Sequence, residues 1–154
     1  MTSASPATTA AANDAPIDAV EAEFATLFNR VRGAMKDYAA QLDPELTVAN
    51  YRIISTLERI GPVHAGGLAE TLEMDKSVLS RQLAMLSTMG LLTRTPDPRD
   101  GRSSFLAVTD ETARRLQEIR SGSKATLHEA LRSWPDGDVS TLAELLHRIN
   151  ALPL

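Results

Sequence analysis

The chain has 154 residues, enough for one folding unit with a real core and too few for two of ordinary size. Hydrophobic residues make up 43% and charged residues 23%, which argues against wholesale disorder, and the absence of cysteine excludes disulfides, thiolate–metal sites and thiol redox switching. A net charge of −4 gives no global attraction to nucleic acid; no apolar run approaches the roughly 18 residues of a membrane span, and the N-terminus lacks the pattern of a secretion signal, so a cytoplasmic protein without membrane contact is expected.

Residues 1–16 are almost all Ala, Ser, Thr and Pro, with no large apolar side chain after Met1, and read as a disordered tail. From Ile17 the pattern changes. Ile17, Val20, Phe24, Leu27, Val31, Met35, Tyr38 and Leu42 recur at steps of three and four, the stripe of a long helix that Asp43-Pro44 ends. That stripe carries more apolar surface than a small lobe needs, so part of it should pack on another helix or subunit.

Thr47 is placed to cap a second helix bearing Tyr51, Ile54, Leu57 and Ile60, stopped by Gly61-Pro62. A short third segment is anchored by Leu68 and Leu72. Asp75 then caps a fourth helix, with Val78, Leu79, Leu83, Leu86 and Met89 on one side, Ser77, Ser80, Arg81, Ala84 and Thr88 on the other, and Gly90 as its stop. Leu92 to Thr95 and Ser104 to Val108 read as two strands around a turn from Pro96 to Gly101. Thr109 opens a further helix with Asp110 and Glu111 in its first turn and an apolar stripe of Leu116, Ile119, Leu127, Leu131 and Trp134. After a break at residues 135–137, Val139, Leu142, Leu145, Leu146, Ile149 and Leu152 mark a last amphipathic helix.

Charge is distributed unevenly along this order. Between Lys76 and Arg102 five cations, Lys76, Arg81, Arg94, Arg99 and Arg102, face two acids, Asp97 and Asp100. The third and fourth helices are joined so tightly that they have the form of a helix-turn-helix. Small residues at Ser77, Ser80 and Ala84 allow close approach to a major groove. Lys76, Ser77, Ser80 and Gln82 suit phosphates or base edges, and Arg81 suits a guanine. The following hairpin, Asp97-Pro98-Arg99-Asp100-Gly101-Arg102, is then a wing: Arg99 and Arg102 suit a narrow minor groove, and Asp97 or Asp100 is expected to hold an arginine in place.

Leu68-Ala69-Glu70-Thr71-Leu72, Asp75 to Leu83, and Gly90-Leu91-Leu92 followed by the wing turn resemble the MarR family of bacterial regulators. The resemblance runs from about Ile17 to the C-terminus and is strongest from Thr47 to Thr109. It departs from the family pattern at Asn50, where Gln is usual, and at His64, where a Ser or Thr cap is usual. It implies a mainly α fold with a small β-hairpin wing: a winged helix-turn-helix lobe at 47–109, with dimerisation helices at 17–42 and 110–154. It also implies a homodimer that binds double-stranded DNA at pseudo-palindromic operators and is often released by a small, frequently aromatic, acid. Met35, Tyr38, Tyr51 and Arg52 combine apolar walls with a cation and hydroxyls that suit such an effector; equally, Tyr38 and Tyr51 suit a core and Arg52 the surface.

His64, His128 and His147 are widely separated and lack metal-ligand spacing, and no nucleophile elbow or phosphate loop accompanies the serines. No enzyme activity, cofactor or metal is therefore expected. The competing reading is a ligand-binding or protein-interaction dimer that has kept the fold and lost operator binding. Cations at all three of Arg81, Arg99 and Arg102 speak for the DNA binder.

Overall fold

The computed structural model describes residues 7–153, with the side chains of 7–13, 101 and 102 outside that description. The elements run α1 (Ala7–Leu42), α2 (Val48–Ile60), β1 (Val63–His64), α3 (Ala65–Leu72), α4 (Lys76–Thr88), β2 (Leu92–Asp97), β3 (Asp100–Val108), α5 (Asp110–Arg132) and α6 (Asp138–Asn150). They divide into two compact units, one ending at Thr109 and the other running from Asp110 to Leu154.

In the first unit α1 starts earlier than its apolar stripe. The tail expected at 1–16 is corrected from Ala7 onward, where the chain is already helical and carries Pro16 inside the helix; residues 1–6 lie outside the described ones. Alanine needs no buried partner to be helical, because it loses no side-chain entropy, and a helix already nucleated extends at little cost.

The α2 start is tightly specified. Thr47 Oγ1 accepts from the Asn50 N–H, and Asn50 Oδ1 accepts from both the N–H and the hydroxyl of Thr47, a capping box with Asn in the third position. Gly61, at φ 79°, ends α2 in a backbone conformation that only glycine adopts cheaply. β1 follows at once. At two residues it is too short to show a period, and it pairs antiparallel with β3, Val63 opposite Leu106 and His64 opposite Phe105. The sheet order is β1-β3-β2.

Gly66 and Gly67 both lie inside α3, and Gly67 has a packing reason: a Cβ there would come within 3.1 Å of Val63 Cγ2. Glu73 then turns the chain in the left-handed region, while the Met74 N–H reaches back to the Ala69 carbonyl. Asp75 caps α4, accepting from the N–H groups of Ser77 and Val78 and from the Ser77 hydroxyl. The core of this unit gathers Leu42, Ile53, Ile54 and Leu57, Leu68 and Leu72, the inner face of α4 at Leu79, Leu83 and Leu86, and Leu106 of the sheet.

The hairpin is tighter than expected. Its strands reach to Asp97 and from Asp100, so that only Pro98 and Arg99 form the turn, and Pro96 is a strand residue opposite Ser104. The register shifts between Pro96 and Asp97. In the second unit α5 runs unbroken through Gly122 and ends at Arg132, before Trp134, and α6 starts after Gly137 at φ 93°. On α5, Arg114 bonds both Glu111 and Glu118 at an exposed site, an arrangement of small worth to stability.

The cap of α4 generates a pH prediction. The Ser77 hydroxyl, then the Val78 and Ser77 N–H groups, hold the Asp75 carboxyl below its ordinary value. A group whose folded pKa is depressed contributes stability that is present above the unfolded carboxylate value of about 3.9 and is lost as pH falls through the lowered folded value. Asp75→Ala should therefore lower the urea midpoint at pH 7, and the gap to the unsubstituted protein should close as pH is taken from 5 towards 3. A gap that persists unchanged to pH 3 would show that the carboxylate charge is not what caps the helix.

Candidate nucleic-acid interface

The rotation of α4 follows from what it buries. With Leu79, Leu83 and Leu86 buried, a step of 100° per residue turns Ser77, Arg81, Ala84 and Thr88 to the opposite side, and all four are exposed. Lys76 and Ser80 are exposed on the flank nearest β2. Among the described residues Lys76, Arg81, Arg94 and Arg99 enter no ion pair, so their charges are available to a ligand. The Ser77 hydroxyl is held by Asp75 and so belongs to the cap as well as to the surface.

Two assignments on α4 are corrected. Gln82 does not stand on the open face: it is half-buried, and its Oε1 accepts from Asn50 Nδ2. Its place on the helix lies between the exposed face and the buried leucines, and the buried Asn50 amide supplies a partner there. Val78, expected inside with the leucines, is instead 38% exposed on the other flank.

Arg94 was not among the expected contact residues, although it counted among the cations of this stretch. It stands exposed on β2 and, with Lys76, Ser80 and the start of α3 at Ala65 and Gly66, lines a cleft of about 100 Å³ whose floor is Leu79 and Leu83. A cleft with two cations and a hydroxyl at its rim suits an anionic oxygen. The charge was visible in the sequence; its side of the strand was not.

At the hairpin tip Asp97 does not clamp an arginine side chain. One carboxylate oxygen accepts from the Arg99 backbone N–H at 2.8 Å, shaping the turn, and the other lies 3.1 Å from His64 Nε2. On Asp97 an imidazole, brought alongside by the two-residue β1, takes the place of an arginine side chain. Asp100 lies across the ladder from Asp97. Arg99 is exposed in the turn, and the side chain of Arg102 lies outside the described residues.

Of the residues expected to suit an effector, Tyr38, Tyr51 and Arg52 lie where α1, α2 and α3 meet. The rings of Tyr38 and Tyr51 sit 6.1 Å apart, Tyr51 is buried, and Arg52 Nη2 donates to the Leu72 carbonyl at the end of α3. Through these contacts Tyr38, Tyr51 and Arg52 tie α1, α2 and α3 together, with Tyr38 half-buried and Arg52 exposed. Met35 is exposed, in line with other uncovered apolar residues of α1: Ile17, Val20, Leu27, Phe28 and Val31. In the second unit Val139, Leu145, Leu146 and Leu152 of α6 and its C-terminal turn are likewise exposed. Among the described residues no cluster of His, Asp and Glu is placed to hold a metal, and no helix is long and apolar enough to cross a membrane.

The profile of the MarR family matches residues 45–103, the stretch from the loop before α2 to β3. An HTH-type transcriptional regulator of Bacillus subtilis, YxaD, is 29% identical over 138 residues, covering 90% of this chain and 95% of that protein. Among solved structures, the YusO protein from Bacillus subtilis superposes with a TM-score of 0.74 at 20% identity, over 91% of this chain and 98% of that one. A mutant MarR from E. coli complexed with operator DNA gives 0.60 at 22% identity, again over 91% and 98%. The stretch 45–103 thus carries the MarR family profile, and over most of its length the chain is similar in sequence to HTH-type transcriptional regulators and has their winged-helix fold.

Proposed function

We propose that the chain is a homodimeric repressor that reads a pseudo-palindromic operator in double-stranded DNA, with α4 in the major groove and the β2–β3 hairpin in the adjoining minor groove. The observation that carries this reading is the outer face of α4, where Arg81 stands exposed and without an ion pair among small and hydroxyl-bearing neighbours. A guanidinium held in that way costs nothing to detach from a protein partner and matches the two acceptors of a guanine edge. Lys76 and Arg94 flank it with positive charge, and Ser80 with a hydroxyl, both suited to backbone phosphate.

Dimerisation is assigned to 17–42 and 110–154. Each of the two units leaves a stripe of large apolar side chains uncovered, on α1 and on α6, more than a monomer ordinarily exposes. Two copies would set two α4 helices about one helical turn of DNA apart, which accounts for a two-fold operator. For a released state, the cleft between Lys76, Ser80 and Arg94 is the place where the carboxylate of a small acid would compete with a phosphate for the same cations.

Selection of bound sequences from a random DNA pool tests the reading as a whole: a two-fold motif supports it, and no enrichment favours the interaction dimer without DNA binding. On the selected site, Arg81→Ala should cost about 1–3 kcal/mol and relax preference at one base pair of each half-site. Equal loss on specific and random DNA would make Arg81 a phosphate contact. Replacing Arg99 and Arg102 together by Ala removes up to four cations from a dimer, so affinity should fall about tenfold or more and the salt slope should flatten by up to about four units. Unchanged affinity and slope would remove the hairpin from the interface. Leu145→Asp with Leu152→Asp places charge on exposed positions of the C-terminal segment, so the protomer should fold while sedimentation shows a monomer and operator binding is lost. A dimer that survives both changes would move the interface elsewhere.

A further inference from the structure

His64 gathers contacts from every strand of the wing. It is the last residue of β1, directly before α3, and its ring packs on Phe105 of β3 with centroids 4.2 Å apart. Nε2 lies 3.1 Å from the Asp97 carboxylate on β2; Nδ1 lies 2.7 Å from the Ser103 hydroxyl and 3.2 Å from the Ser104 carbonyl on β3. The second Asp97 oxygen holds the Arg99 N–H in the turn. Although His64 occupies the N-cap position of α3, its side chain makes no bond to that helix. All of its polar capacity is therefore directed at the hairpin.

Nε2 faces the Asp97 carboxylate, to which it donates, while Nδ1 is met by both the Ser103 hydroxyl and the Ser104 carbonyl. Serine, imidazole and aspartate are also the members of a nucleophilic triad, but here aspartate sits on Nε2 and serine on Nδ1, the reverse of the catalytic order. The cluster has the geometry of a brace. A Ser or Thr at this position has one short hydroxyl and cannot span from Asp97 to Ser103.

We propose that His64 is the positioning residue of the wing: its ring ties the hairpin tip, through Asp97, to the strand that leads straight into the helix-turn-helix. The turn that presents Arg99 is thereby held in one orientation relative to α3 and α4 before DNA arrives. Ordering a flexible arm on binding costs affinity, and a brace made in the free protein removes that cost. The inference rests on the hairpin acting as a DNA-contacting wing, and its test is arranged so that the two can fail separately.

Amide hydrogen exchange across residues 92–108 of the free full-length dimer reports the brace without DNA. His64→Ala and Asp97→Ala should each speed exchange there, and the double variant by less than the sum of the two, because the contact they share is lost only once. His64→Gln, whose amide nitrogen reaches about where Nε2 lies, should restore slow exchange, a rescue that loss of ring packing on Phe105 would not show. On the selected operator, His64→Ala should lose about tenfold in affinity and lose hydroxyl-radical protection at the outer flanks while keeping it at the centre of each half-site. Unchanged exchange in His64→Ala, additive effects in the double variant, or no rescue by His64→Gln would overturn the proposal. Faster exchange with unchanged DNA affinity and footprint would leave the brace standing and overturn the reading of the hairpin as a wing.

Discussion

The orientation of α4 about its own axis governs what this protein presents to a partner, and two unlike interactions set it. Leu79, Leu83 and Leu86 bury one side of the helix, each full burial contributing roughly 1.5–3 kcal/mol. That attraction is non-directional and would tolerate some rotation. The bond from Asn50 Nδ2 to Gln82 would not: Asn50 is 1% exposed, and an orphaned buried amide costs about 1–3 kcal/mol. Because the same Asn50 completes the capping box of α2, the start of α2 and the middle of α4 are pinned by one side chain. Rotating α4 by one residue would break that bond and turn Arg81 away from the face it shares with Ser77 and Ala84.

Electrostatics follow from this placement rather than from net charge. The chain carries −4 overall, yet Lys76, Arg81, Arg94 and Arg99 enter no ion pair among the described residues. Asp75 is committed to the cap of α4, and Asp97 to the Arg99 N–H and His64. At physiological salt, charge more than about 8 Å away is largely screened, so the acidic remainder does little to cancel the local field. It does discourage indiscriminate adhesion to polyanions, which the proposed binding to one operator requires.

The two units place different demands on the chain. The first has a closed core and an exposed cationic face; the second, α5 and α6, buries only Thr112 and Leu116 among the described residues and leaves α6 without a buried residue. An amphipathic helix with an uncovered apolar face is incomplete as a monomer, which is the physical basis for assigning it to a subunit contact.

Much of this was legible in sequence because the signals are local. Caps at Thr47 and Asp75, stops at Gly61 and Gly90, and leucines at helical spacing specify their elements within a few residues. The basic stretch from Lys76 to Arg102 and the hairpin turn are likewise short-range patterns, and they sufficed to indicate a winged helix-turn-helix. What sequence left open were pairings across distance. Asn50 meets Gln82, His64 meets Asp97 and Ser103, and Arg94 and Lys76 line one cleft, and none of these groupings has a periodic signature. Polar side chains find partners according to which elements the fold brings within about 3 Å, and that distance is set by the packing of several helices and strands at once. A two-residue strand such as β1 likewise exists only because β3 is beside it. Composition and period therefore determined which elements form and where the positive charge lies, while tertiary packing alone decided which of those side chains face a ligand and which are spent holding the others in place.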